Sequence, residues 1–164
     1  MKYAFTLISF FLDGLISNYF SIDGIFYPLF TLMSLIIMYP YYSDNRIYYK
    51  FTFFMGAFYD LIYTDTFIFY AFIFLIVSIV IAKLSVLLAD NYLSIMIITL
   101  ISIILFRTIS YVLIVVSGNI KFSFDILFKS IYSSLVLNII YVILLNIIVS
   151  FTSKKLGIRK CLRY

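Results

Sequence analysis

The chain has 164 residues, of which 65% are hydrophobic and only 12% are charged, and its mean hydropathy is +1.16. A soluble domain carries about 25% charged residues, so this sequence lacks the polar groups to cover a globule in water. It contains no histidine, tryptophan or glutamate and a single cysteine, Cys161. This composition excludes an internal disulfide, multi-cysteine metal sites and histidine chemistry, and it predicts an integral membrane protein without a cofactor or metal.

The net charge of +5 comes from 12 basic and 7 acidic residues. A protein that binds nucleic acid would gather its cations on one polar face. Here the cations separate apolar runs instead, which is a pattern of membrane topology. Nucleic acid is therefore not expected as a partner.

Six apolar segments follow one another, each close to the roughly 20 residues that cross a hydrocarbon core of about 30 Å. They cover residues 3–20, 25–42, 47–63, 67–88, 92–116 and 130–152. Lys2 before the first segment also suits a signal peptide, but Asp13 interrupts the apolar run and no small-residue cleavage site follows. We therefore predict an all-α integral membrane protein, a compact bundle of about six transmembrane helices. Residues 1–152 form this domain, 117–129 its longest loop, and 153–164 a basic cytoplasmic tail.

The placement of the cations predicts the orientation of the bundle. Nine cations fall on one side: Lys2, Arg46, Lys50, Lys83, Lys154, Lys155, Arg159, Lys160 and Arg163. Two, Lys121 and Lys129, fall on the other side, so the positive-inside rule puts both termini in the cytoplasm. The five cations from Lys154 onwards are predicted to contact anionic lipids of the inner leaflet, with a plain stop-transfer anchor as the alternative.

Four polar side chains fall inside the predicted spans at similar depth: Asp13, Asp60, Arg107 and Asn138. A carboxylate at membrane depth costs about 2.5–3.5 kcal/mol on insertion scales, so it needs a partner. Asp60 and Arg107 form the best predicted pair, because a guanidinium can satisfy a carboxylate with two parallel hydrogen bonds, and Asp13 competes for the same arginine. We expect a static ion pair that fixes helix register. An ion or proton path and a site facing another protein's helix are the alternatives.

Two further features concern packing. Gly56 lies four residues before Asp60 on the same helix face, where a glycine permits close approach of a neighbouring backbone. Asn138 and Asn146, eight residues apart, are expected to hydrogen-bond to other helices rather than to hold a ligand. Asp13 and Asp60 could formally act as a protease pair, but their surroundings match no protease signature, so we predict no catalytic residue.

Three short motifs carry a family resemblance. They are Gly56-x-x-x-Asp60-Leu61-Ile62-Tyr63-Thr64 followed by Ala71, then Ser134-Leu135-Val136-Leu137-Asn138, and the closing Lys154-Lys155-Leu156-Gly157. With these motifs the chain resembles the rod shape-determining protein MreD family over essentially its whole length. It departs from that family at Ile68, where many relatives carry a glycine, and at Ser133, where a proline is frequent.

The resemblance implies a non-enzymatic scaffold of the bacterial cell-elongation machinery in the cytoplasmic (inner) membrane. Such a protein would bind MreC, a single-pass membrane protein, and help couple peptidoglycan synthases to MreB filaments. It also implies a fold similar to the S-components of energy-coupling-factor transporters, so a substrate-binding subunit of a vitamin transporter is the alternative function. Against that alternative, most predicted outer loops are short and their polar content is ordinary, whereas a small-molecule site needs several convergent polar groups.

Overall fold

The structure, a computed structural model, describes residues 2–20, 28–64, 68–88, 91–118, 121–158 and 160–161. Of these described residues, 87% are helical and none belongs to a strand, which confirms the predicted all-α class. The helices are α1 (Lys2–Phe20), α2 (Phe30–Met38) with a 3₁₀ turn (Tyr39–Tyr41), α3 (Asn45–Tyr63), α4 (Phe69–Leu87), α5 (Tyr92–Val116) and α6 (Phe124–Lys155).

The short helix α2 lies at the centre of the described bundle. All nine of its residues are buried, and it contacts α1, α4, α5 and α6. Only Thr31 and Ser34 within it are polar, and the hydroxyl of Ser34 donates to the carbonyl oxygen of Thr31 at 2.7 Å. A helix that is apolar on every side is suited to burial on every side. Around α2, the chain forms the hairpins α1–α2, α3–α4 and α5–α6.

Three described helices, α4, α5 and α6, are long and apolar enough to cross a membrane. The segment of α2 with its 3₁₀ turn is apolar but shorter. Helices α1 and α3 have 19 residues each, as α4 does, but they are less apolar. These helices indicate a membrane protein, and the count of six spans stays a prediction.

Two predicted boundaries need correction. Pro28 and Leu29 precede α2, which begins at Phe30, so the segment predicted to span from residue 25 contains a shorter helix; residues 25–27 lie outside the described part. Helix α6 begins at Phe124 rather than at residue 130, which shortens the predicted loop.

The early start of α6 has a local physical reason. Ser123 is extended, Asp125 lies in the first turn, and a carboxylate there is favoured by the helix dipole. The hydroxyl of Tyr111 on α5 accepts from the backbone N–H of Ser123 at 2.7 Å and donates to its carbonyl oxygen at 2.9 Å. The neighbouring helix therefore holds the residue from which α6 starts.

Candidate functional site

The first polar site lies at the start of α2. Leu29 precedes this helix and its side chain makes no capping hydrogen bond, so the first backbone N–H groups need partners from elsewhere. Asp13 of α1 supplies them, because its carboxylate oxygens accept from the N–H groups of Phe30 at 2.6 Å and Thr31 at 2.8 Å. The hydroxyl of Thr31 donates to the same carboxylate. Asp13 is therefore a helix cap supplied by a neighbouring helix.

Asn138 of α6 completes this site. Its Oδ1 accepts from the backbone N–H of Leu29 at 2.8 Å, and its Nδ2 donates to the carbonyl oxygen of Ser134 at 2.6 Å. Asp13 and Asn138 are both almost fully buried. A carboxylate at a helix start is stabilised by charge-assisted hydrogen bonds and by the helix dipole, so it does not require a cation. The arrangement joins α1, α2 and α6 through polar contacts inside an apolar bundle.

The second polar site lies at the start of α4. Ile68 precedes this helix in a left-handed conformation, with φ of 62°, and its side chain makes no capping hydrogen bond. Asp60 of α3 accepts from the N–H groups of Tyr70 at 3.1 Å and Ala71 at 3.0 Å. The hydroxyl of Thr64 lies 3.4 Å from the same carboxylate. Glycine adopts a left-handed conformation at little cost. This gives a physical reason why a glycine is frequent, in the family that the chain resembles, at the position where this chain has Ile68.

Gly56 sets the distance between α3 and α4. A Cβ atom added there would lie 2.6 Å from Cα of Ala71 and 2.8 Å from the carbonyl oxygen of Tyr70. Because both are backbone atoms, a side chain at Gly56 would force the helices apart. This close approach brings Asp60, one turn further along α3, to the first N–H groups of α4.

The described contacts differ from the predicted ion pair between Asp60 and Arg107. Among the described residues, Asp60 accepts from N–H groups at the start of α4 and lies 3.4 Å from the hydroxyl of Thr64, while Nε of Arg107 donates to Oγ of Ser134 at 3.3 Å. Helix-start N–H groups form an anion site by themselves, so a buried carboxylate can be satisfied there without a guanidinium. Backbone groups carry no sequence signature, which is why residue patterns pointed to the arginine instead.

The predicted lipid contacts lie in and beyond the last turn of α6. Lys154 and Lys155 are exposed, and Lys160 is half-buried in the tail. Arg159 and Arg163 lie outside the described residues. The backbone N–H of Cys161 donates to the carbonyl oxygen of Pro40 at 2.7 Å, so the tail packs against the 3₁₀ turn that follows α2.

Comparison with known proteins gives one match. The family model of the rod shape-determining protein MreD matches residues 1–155, a range that contains all six described helices and both acid-capped helix starts. No curated protein and no solved structure matches the chain significantly. The matching family determines rod shape, consists of membrane proteins, and is not a known enzyme family. Because the match covers nearly the whole sequence, the chain belongs to the MreD family of rod shape-determining proteins.

Proposed function

We propose that this chain is a non-enzymatic scaffold subunit of the bacterial cell-elongation machinery. It binds MreC in the cytoplasmic membrane and helps couple peptidoglycan synthases to MreB filaments. The family match over residues 1–155 carries this proposal, because the family functions in rod shape determination. In this proposal the chain crosses the membrane six times with both termini in the cytoplasm.

The contacts of the buried acids support a static role. Asp13 and Asp60 each accept hydrogen bonds from the first N–H groups of a helix, so both carboxylates act within the bundle as structural caps. A transport path would need acids that exchange protons or ions across the membrane. A capping carboxylate, in contrast, stabilises a helix by keeping its hydrogen bonds to the backbone. A rigid bundle is what a subunit that holds partners together requires.

Affinity purification in mild detergent tests the partner. The tagged chain is isolated from cells that also make MreC, with an unrelated multi-span protein of similar size as the control bait. We expect MreC to be recovered with the chain and not with the control. Recovery of an ATPase with a transmembrane coupling subunit, or of a bound vitamin, would instead favour the transporter alternative and overturn the scaffold.

The proposed topology can be tested with the one native cysteine. Cys161 is exposed in the tail, so a membrane-impermeant thiol reagent should label it in inverted vesicles but not in intact spheroplasts. As the matched control, Lys121→Cys in a Cys161→Ser background places an exposed thiol in the loop before α6. In this variant the reagent should label the thiol in intact spheroplasts but not in inverted vesicles. Labelling of both positions from the same side would contradict the proposed orientation.

A further inference from the structure

A cavity of about 490 Å³ lies where the tail meets the end of α4. Its walls come from the end of α2 with its 3₁₀ turn, the end of α4, the start of α5 and the middle of α6. A second cavity of about 330 Å³ shares four lining residues with it: Asn91, Ile95, Asn146 and Lys160. Pockets of about 300–1,000 Å³ with mainly apolar walls and a few polar groups are typical of sites for small ligands.

Asn146 is the buried amide of these cavities. Its side chain is 7% exposed and lines both of them, yet it makes no hydrogen bond with any described residue. Asn138, two turns earlier on the same helix, bonds to Leu29 and Ser134 and is satisfied within the bundle. Because buried polar side chains nearly always have a hydrogen-bond partner, the amide of Asn146 points to a ligand in the cavity.

The polar groups that remain for a ligand are uncharged. Lys160 lines both cavities but already has an interaction partner, and the described lining residues include no carboxylate. Oδ1 of Asn91 accepts from the backbone N–H and the hydroxyl of Ser94, both at 2.8 Å, so its N–H₂ group serves as a donor. Burying an ion beside neutral groups is costly, so the amides of Asn91 and Asn146 favour an uncharged ligand.

The apolar wall of the larger cavity continues onto the outer surface of α4. Ile98 is buried at this wall, whereas Val86 and Leu87 line the same cavity and are 50% and 78% exposed. Helix α4 is long and apolar enough to cross a membrane, and exposed apolar side chains of such a helix face lipid. A ligand with an apolar chain can therefore contact the cavity and the surrounding lipid at the same time.

We propose that this site binds an uncharged lipid with a free hydroxyl, of the diacylglycerol class. The hydroxyl donates to Oδ1 of Asn146, and the N–H₂ groups of Asn146 and Asn91 donate to the ester oxygens of the lipid. A side-chain amide suits this ligand because it offers both a donor and an acceptor. One acyl chain lies along the apolar wall and the other stays in the bilayer. Lipid binding is a property of the purified chain, so it can fail or succeed independently of binding to MreC.

The test uses the full-length chain in a neutral detergent, titrated with palmitoyl-oleoyl-glycerol and followed by native mass spectrometry. The comparison lipids have the same acyl chains: one carries an acetyl group on the free hydroxyl, and the other is phosphatidylglycerol. The diacylglycerol is expected to bind saturably. Both comparison lipids should bind about tenfold more weakly, because acetylation leaves Oδ1 of Asn146 without a donor and the charged phosphate has to leave water.

Two variants test the site from opposite sides. Asn146→Leu removes the buried amide and should weaken binding of the diacylglycerol about tenfold. Val86→Trp places a large side chain at the mouth of the cavity and should weaken binding by a similar factor. Val136→Trp is the matched control, because Val136 is 52% exposed, close to the 50% of Val86, and lines neither cavity. It should retain the affinity of the unmodified chain.

Three results with the lipids would each overturn the proposal: no saturable binding, equal binding of the diacylglycerol and its acetylated form, or tighter binding of phosphatidylglycerol. An equal loss of affinity in Val86→Trp and Val136→Trp would overturn it as well. Since Val86 is half exposed on α4, Val86→Trp still decides the matter if Asn146→Leu does not fold.

Discussion

The starts of α2 and α4 are built from the same parts but over different distances along the chain. At both, an apolar residue precedes the helix and an aspartate of the preceding helix binds the first N–H groups. At α4, Asp60 and its backbone partners are 10 and 11 residues apart, within one hairpin. At α2, the corresponding separations are 17 and 18 residues, and Asn138 adds a bond to Leu29 across 109 residues.

This difference separates a local cap from a cap that requires the whole bundle. Closing a short loop costs less entropy than closing a long one, so the start of α4 can form within its own hairpin. The start of α2 needs α1 and α6 together. We therefore expect changes at the two sites to differ both in size and in how far their effects spread through the molecule.

The largest effect is expected for Asp13→Ala. It leaves two backbone N–H groups and the hydroxyl of Thr31 without their acceptor in a buried place. At about 1–3 kcal/mol for each lost partner, the free energy of unfolding should fall by about 4 kcal/mol, measured by denaturant unfolding in mild detergent. Asp125→Ala, which removes an exposed aspartate in the first turn of α6, should cost less than about 1 kcal/mol. Equal losses in the two variants would contradict the capping role.

Asp60→Ala should cost less, about 2–3 kcal/mol, because the backbone N–H groups that bind Asp60 lie 3.1 and 3.0 Å from its carboxylate, further than the 2.6 and 2.8 Å at Asp13. Hydrogen exchange is the sharper measurement here. The local cap predicts faster exchange confined to α3 and α4, whereas Asp13→Ala should also speed exchange in α2 and α6. An Asp60→Ala effect that spreads as widely as that of Asp13→Ala would remove the distinction between the two sites.

Gly56→Ala tests the close approach that serves the α4 site. The added Cβ would lie 2.6 Å from a backbone atom of Ala71, and overpacking of this kind costs about 1–3 kcal/mol. Gly118→Ala is the comparison, because its Cβ would meet nothing within 4 Å and only its φ of 78° opposes the change. Gly56→Ser should be more destabilising than Gly56→Ala in denaturant unfolding, while the same pair at Gly118 should differ little.

The smallest effect is expected for Tyr63→Phe, at about 1 kcal/mol. The hydroxyl of Tyr63 on α3 donates to the carbonyl oxygen of Phe10 on α1 at 2.7 Å and so links the two hairpins. Tyr59→Phe is the control, since the hydroxyl of Tyr59 has no hydrogen bond to any described residue. If both variants unfold at the same denaturant concentration, the link between the hairpins contributes nothing measurable.

The sequence predicted the helical class and the positions of the polar groups better than it predicted their partners. Asp13, Asp60 and Asn138 stand out in apolar segments because each costs free energy in a membrane, and all three are buried in the structure. The composition of the spans likewise predicted helices throughout the described chain. These inferences needed only local sequence.

The partners of the two acids could not be read in the same way. Both acids bind backbone N–H groups, which every residue except proline carries, so no residue type marks them. Leu29 and Ile68 have no capping side chains, so the usual signal of a helix start is missing at both sites. The start of α6 was missed as well, although Ser123 followed by Asp125 is a recognisable signal of a helix start.

The shortness of α2 has a consequence for biosynthesis. Its nine residues measure about 14 Å along the helix axis, less than half of a hydrocarbon core of about 30 Å. In the proposed topology of six spans, the polar backbone at the start of so short a segment lies within the membrane, where lipid offers no hydrogen bonds. Asp13 is synthesised before α2, but Asn138 belongs to α6 and follows Leu29 by 109 residues. The backbone N–H of Leu29 therefore gains this partner only after α6 has been synthesised, so a nascent chain that stops before α6 carries an unfinished helix start.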